Sequence, residues 1–242
     1  DAFISVKFGA MFHNGQWLGM DLRPLAIKNF VNYSLTRLGV ETIDLYQPSR
    51  MDGSVPVEDI IGTVADLIKE GKVRHIGVSE ITADQLRIAN RIYPISALEI
   101  GYSLADRQIE SELLPTAKEL GIGVVAFANT AEGLLTGELK APLSEHDHRN
   151  HFSRFQGENL LHNLGKVDVL KQIANHKGYT PTQVAWVNQQ GDHIMPLVSM
   201  SRRSRLPENI AAMDIVFTVE EMNRLNTTFA QGAILGGTYL QR

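Results

Sequence analysis

The stretch Leu38 to Asp52, reading LGVETIDLYQPSRMD, is the unit that the rest of the chain repeats. Leu38-Gly39 puts a glycine where helices stop. Ile43, Asp44, Leu45, Tyr46 and Gln47 then read as a short strand, and Pro48, which cannot donate to a ladder, ends it. Ser49, Arg50 and Asp52 follow directly. They stand at the carboxyl end of a strand, where proteins built on parallel strands place their chemistry.

The same pattern predicts strands over 3–8 (FISVKF), 73–78 (VRHIGV), 95–100 (ISALEI), 122–127 (IGVVAF) and 193–198 (HIMPLV). The run 122–127 is nearly continuous in apolar residues, as buried parallel strands are. Apolar residues at helical spacing predict helices over 24–38, 54–70, 82–92, 109–120, 165–177, 180–190, 206–213 and 218–225. Pro24 and Pro181 suit a first helical turn, and Thr218-x-x-Glu221 is a capping box. Residues 10–20 read as a loop with a turn at Asn14-Gly15. Residues 128–163 read as a long polar loop, which in a compact domain is functional or partly disordered. The glycine-rich tail 229–242 reads as loose. Six strands joined through helices by right-handed crossovers imply a parallel sheet and the α/β class. A closed βα barrel needs eight strands. The chain is therefore either an open doubly wound sheet or a barrel with two βα units outside this sequence.

Charge and composition narrow the function. A net charge of −4 argues against nucleic acid or an anionic membrane as the main partner. No apolar run approaches the roughly 18 residues needed to span a bilayer. The absence of cysteine suits a cytoplasmic protein. The start at Asp1, without Met and running straight into a strand, suggests an upstream segment.

The segments ISVKFG, LTRLGVETIDLYQ, PVEDIIGTVADLIKEGKVRHIGVS, LLPTAKELGIGVVAF, EGLLTG and SRLPENIAAMD run in order along nearly the whole chain. On these the chain resembles the aldo-keto reductase family, NADP-dependent (β/α)8 TIM barrels. The resemblance implies one barrel domain over 1–242, N-terminally incomplete, with about six of the eight βα units. The sequence then opens at the family's third barrel strand. The Asp and the proton-donating Tyr of the catalytic tetrad would lie upstream, and residues 1–242 alone are expected to be inactive.

The resemblance places Lys7, in the KFG motif, on the tetrad lysine. From the residues alone, a strand-end lysine is either solvated or a partly buried ammonium that acts on its neighbours. Ser49 departs from the family pattern, which has Gln-Ile-His-Arg where this chain has Gln47-Pro48-Ser49-Arg50. Its hydroxyl either donates to a substrate carbonyl in place of the histidine or merely fills space. The Pro-small-Arg variant resembles the pyridoxal-reductase-like branch. Ser79-Glu80 stands where the family has Ser-Asn on the nicotinamide carboxamide, and Glu99 where it has Gln. Two amides are thus carboxylates here, and neighbouring carboxylates tend to raise one another's pKa. Phe127 takes the place of the aromatic that stacks on the nicotinamide. Ala128, Asn129, Thr130, Gly133 and Gly137 make a small-residue loop after a strand, able to bring backbone N–H groups to a pyrophosphate.

Ser201, Arg202, Arg203 and Arg205, with Glu208 and Asn209, form the densest cluster, at the start of a predicted helix with Pro207 in its first turn. The resemblance gives this segment to the 2′-phosphate and adenine of NADP through Arg205-x-x-Glu208-Asn209. His146, His148 and His151 fit no standard metal spacing, and no metal is expected. The stretch ending at Trp186 is about two residues shorter than in the family, which would rotate a helix face by roughly 200°. The expected activity is hydride transfer from NADPH to a small aldehyde or ketone, with oligomeric state open. The alternative is a catalytically weak nicotinamide-binding scaffold of the same fold.

Overall fold

A computed structural model of the chain describes residues 2–186, 193–199 and 202–238. The chain divides into two compact units, one of residues 1–100 and 110–125, the other of residues 101–109 and 126–242. The strands of the main sheet are β1 (Ser5–Phe8), β4 (Ile43–Pro48), β5 (Val73–Ser79), β6 (Ile95–Gly101), β7 (Gly123–Phe127) and β8 (Ile194–Pro196), in that order across the sheet. Their order in space follows their order in sequence, the arrangement that repeated βα units give. The ladders from β1 through β6 are parallel. This is the predicted α/β sheet.

In the first unit the helices α1 (Pro24–Leu38), α2 (Val57–Lys69), α3 (Ala83–Ile92) and α4 (Leu113–Glu119) intervene between strands. On α2 the periodic residues Ile60, Ile61, Val64 and Leu67 are fully buried. Thr82 caps α3 with a complete capping box through Gln85. Helix α1 ends at Gly39 in the left-handed conformation, as Leu38-Gly39 predicted.

Two expectations fail in this unit. Residues 10–20 are a hairpin, β2 (Ala10–His13) and β3 (Gln16–Met20), paired antiparallel. The Asn14-Gly15 turn was legible and both residues have positive φ. The flanking strands were not legible, because Phe12, Trp17 and Leu18 face solvent and show no buried alternation. The predicted helix over 109–120 is a 3-10 turn (Gln108–Ser111) followed by α4. Pro115, without an N–H to give, falls in the first turn of α4, where it is tolerated.

The second unit is less regular. Its core gathers Leu134, Leu135, Phe155, Val167, Leu170, Val184, Leu225 and Phe229. Helix α5 (Gly157–Lys177) begins about eight residues before its predicted start. Its buried face includes Asn163 between Leu160 and Val167, and that polar residue interrupts the apolar stripe by which a helix is recognised. Of the predicted 180–190 helix, α6 covers Pro181–Val184, Ala185 and Trp186 form a turn, and residues 187–192 lie outside the described residues. Trp186 is buried next to α6, its backbone N–H bonded to the Gln183 carbonyl at 3.3 Å. Helices α7 (Arg205–Ala211) and α8 (Val219–Thr228) follow, α8 with its predicted capping box.

The tail is packed rather than loose over its described part. Asn163 accepts from the Leu235 N–H at 2.8 Å and donates to the Leu235 carbonyl at 2.9 Å. The Gly237 N–H donates to Ser153 Oγ at 2.9 Å. Gly236, at φ +78°, lies so close to Arg154 that a Cβ there would stand 2.4 Å from the Arg154 nitrogen. No helix among the described residues is long and apolar enough to cross a membrane.

Candidate active site

The carboxyl ends of β1, β4, β5 and β6 hold the site residues of the first unit. Lys7 sits across the β1–β4 ladder from Gln47, and Ser79 across the β5–β6 ladder from Glu99. The strand alternation that sends Phe8 into the core turns Lys7 the other way. Lys7 Nζ donates to Glu99 Oε1 at 2.6 Å, and Gln47 Nε2 donates to Glu99 Oε2 at 2.6 Å. Gln47 Nε2 also lies 3.3 Å from Ser5 Oγ. Gln47 and Glu99 are 1 % and 8 % exposed, so this is a nearly dry network that opens to solvent at the lysine. Gly77 makes room for it, since a Cβ there would stand 2.7 Å from Gln47 Oε1.

Ser49, just past the end of β4, is half-buried, and its N–H donates to the Phe8 carbonyl at 2.9 Å. Ser79 is fully buried, and its hydroxyl has no partner among the described residues. Gln47 Oε1 is likewise buried without one. Glu80 adopts φ +52°, a conformation Asn accepts readily and Glu does not. Its carboxylate is held by Arg50 at 3.1 Å. The two carboxylates expected to act on one another therefore each have their own cation.

In the second unit, Phe127 ends β7, and its carbonyl accepts from the Tyr102 N–H at 3.1 Å. The loop that follows is strained, with positive φ at the non-glycine residues Ala128, Ala131 and Glu132. Thr130 anchors it by accepting from the Gly133 and Leu135 N–H groups. Asn129 is buried and donates to the Leu197 carbonyl at 3.0 Å, so its side chain braces the loop. Arg149 holds the loop from below by donating to the Glu132 carbonyl at 3.0 Å. Both Glu132 carboxylate oxygens are buried without a hydrogen bond. Burial pushes the Glu132 carboxyl up from its ordinary value, against the nearby Arg154 and Arg149.

Arg202, Arg203 and Arg205 are exposed at the start of α7, and none of them has an ion pair among the described residues. Ser201, predicted to join them, lies outside the described residues. Glu208 accepts from the Thr180 hydroxyl at 3.1 Å, and its carbonyl accepts from Gln183 at 2.7 Å, so it ties α7 to α6. Asn209 is half-buried on the same helix. Among the described residues no group of three or more His, Asp or Glu could hold a metal ion.

The residues fit a nicotinamide cofactor on two observations of the chain itself. The buried, unpartnered Ser79 hydroxyl suits a carboxamide, and the unpaired guanidinium groups suit a phosphate. Sequence reasoning missed Gln47 as the amide that fixes Glu99 and Gly77 as the gap that admits it. A buried Gln on a strand and a Gly inside the next were the available signals.

A parallel βα sheet with a charged cluster at its carboxyl ends defines an α/β scaffold with a polar site at its strand ends. Residues 1–228 match the model of the aldo/keto reductase family, and the chain belongs to that family. The glycerol dehydrogenase AKR11B4 from Gluconobacter oxydans has a similar structure, with a TM-score of 0.87 and 26 % sequence identity over 98 % of this chain and 75 % of that one. The protein is thus an oxidoreductase of carbonyl chemistry, in a family that works with nicotinamide cofactors and small carbonyl substrates.

Proposed function

We propose that the protein is an NADPH-dependent reductase of a small aldehyde or ketone. The bound nicotinamide would supply the hydride. Lys7 holds positive charge at the end of β1, where the oxyanion left by hydride addition is stabilised until it takes up a proton from water to complete the alcohol. The half-buried Ser49 hydroxyl donates to the substrate oxygen in place of the histidine that the family places there. In the first unit Ser79 is the group offered to the carboxamide; in the second, the family resemblance gives Phe127 to the nicotinamide ring and Ala128, Asn129, Thr130 and Gly133 to the pyrophosphate. Glu80 shapes the strand end through Arg50, and Glu208 steadies α7 through Thr180 and Gln183.

The observation that carries the reading is the trio Arg202, Arg203 and Arg205, exposed and unpaired with any described carboxylate. Helix α7 has only seven residues, so the guanidinium charges rather than a helix dipole favour a 2′-phosphate. Arg205→Ala is expected to weaken NADPH binding by about 1.5–3 kcal/mol, the size of one charge-assisted contact. Fluorescence titration checks it, and equal affinity of the wild type for NADH and NADPH would refute the preference. Within carbonyl substrates, Pro48-Ser49-Arg50 favours a pyridoxal-like aldehyde. The dehydrogenase among the similar structures makes polyol oxidation the comparison to run beside pyridoxal reduction.

A further inference from the structure

The residue at 99 has the wrong chemistry to copy an amide. A carboxylate only accepts, whereas Gln both donates and accepts. Both of its oxygens are already engaged, Oε1 by Lys7 at 2.6 Å and Oε2 by Gln47 at 2.6 Å. The Glu99 side chain is 11 % exposed and that of Lys7 is 32 %, so the acid is the buried anchor and the lysine the more exposed partner that it holds. Gln47, 1 % exposed and lodged against Gly77, prevents the carboxylate from turning away. Three strands thereby fix one ammonium.

We infer that Glu99 is a positioning residue for Lys7 and makes no contact with the cofactor. It holds the lysine at the strand end for the reaction proposed above, on which this inference rests. Ser79, with its unengaged hydroxyl, is left as the buried polar group of the β5–β6 ladder that receives the carboxamide. The arrangement also explains how a carboxylate is tolerated at a nearly dry position, since a buried acid needs a cation and hydrogen bonds to both oxygens.

The test uses the intact protein with Glu99→Gln, Glu99→Asp, Lys7→Met and the double variant Lys7→Met/Glu99→Gln. Competitive acetylation read by mass spectrometry reports on Lys7 whether or not the protein turns over. Lys7 labelling should rise several-fold in Glu99→Gln and less in Glu99→Asp, while Lys28 and Lys118 stay constant as references. In turnover, kcat should fall about 10- to 100-fold in Glu99→Gln, with NADPH affinity held within about twofold. The same change should add nothing in the Lys7→Met background. Circular dichroism melting confirms that each variant is folded. Unchanged Lys7 labelling would overturn the inference, as would a loss of NADPH affinity at unaltered kcat. Failure of the wild type to bind NADPH would remove the functional reading instead, and the labelling arm would still decide whether Glu99 holds Lys7.

Discussion

Lys7–Glu99 in the first unit and Arg154–Asp106 in the second are both cation–carboxylate pairs with a 2.6 Å contact, yet their side chains are 32 % and 11 % exposed in one case and 0 % and 1 % in the other. In the second pair the guanidinium meets both carboxylate oxygens, at 2.7 and 2.6 Å. Arg154 Nε and backbone N–H point at the tail carbonyls of Gly236 and Gly237, and its carbonyl accepts from Asn163. That network is closed and binds the chain to itself. The first is open, with a water-facing lysine and unpartnered oxygens on Ser79 and Gln47. Polar groups left unsatisfied at a strand end are where a ligand gains most, whereas satisfied and sealed ones hold a fold.

The contrast breaks most readily at Asp106. Asp106→Ala leaves a guanidinium buried without its counter-ion and is expected to cost about 3–5 kcal/mol in urea unfolding. A cost below about 1 kcal/mol would place this pair with surface ion pairs and erase the distinction. Gly236→Ala comes next. Its Cβ would press on the Arg154 backbone at 2.4 Å in a left-handed conformation, so about 1–3 kcal/mol is expected, with faster amide exchange over 234–238.

Glu132 sharpens the comparison, since it lies in the field of the closed network without a bond to it. Its folded carboxyl titrates above its ordinary value near 4.5. As pH rises from that value to the folded one, the folded chain keeps a proton that the unfolded chain has lost, and stability falls. Glu132→Gln should therefore raise Tm at neutral pH by a few degrees, about the shift of 1 kcal/mol in a chain this long, and the gain should vanish near pH 4. Thermal melts at the two pH values check both sign and window. The smallest effect belongs to Glu99→Gln, below about 1 kcal/mol, because the half-open lysine rehydrates and the new amide oxygen still accepts from Gln47. A larger loss would mean that the open network is structural as well.

The first unit was legible because its signals are local. On α2 the burial of Ile60, Ile61, Val64 and Leu67 follows spacing alone, and Thr82 announces its own cap. Lys7, Gln47, Ser79 and Glu99 converge because strand ends converge, which topology supplies without pairwise information. The second unit was less legible because its order depends on partners distant in sequence. Asn163 reads as a break in a stripe until Leu235, 72 residues away, is seen to bond to it. Gly236 reads as slack until Arg154 fills the space its missing side chain leaves. The hairpin after β1 escaped for a third reason, that its large side chains face water and imitate no core.

That hairpin also gives the molecule a convenient optical property. The chain has two tryptophans, and they fall one to each unit. Trp17 is 55 % exposed and meets Phe12 edge-on at 5.4 Å between ring centres. Trp186 is 8 % exposed, and its indole N–H has no partner among the described residues. An indole in water emits further to the red than one in an apolar interior and is open to ionic quenchers. Iodide should therefore silence the hairpin's emission and leave the bluer emission of the second unit, so that a single cuvette reports the loosening of each unit separately.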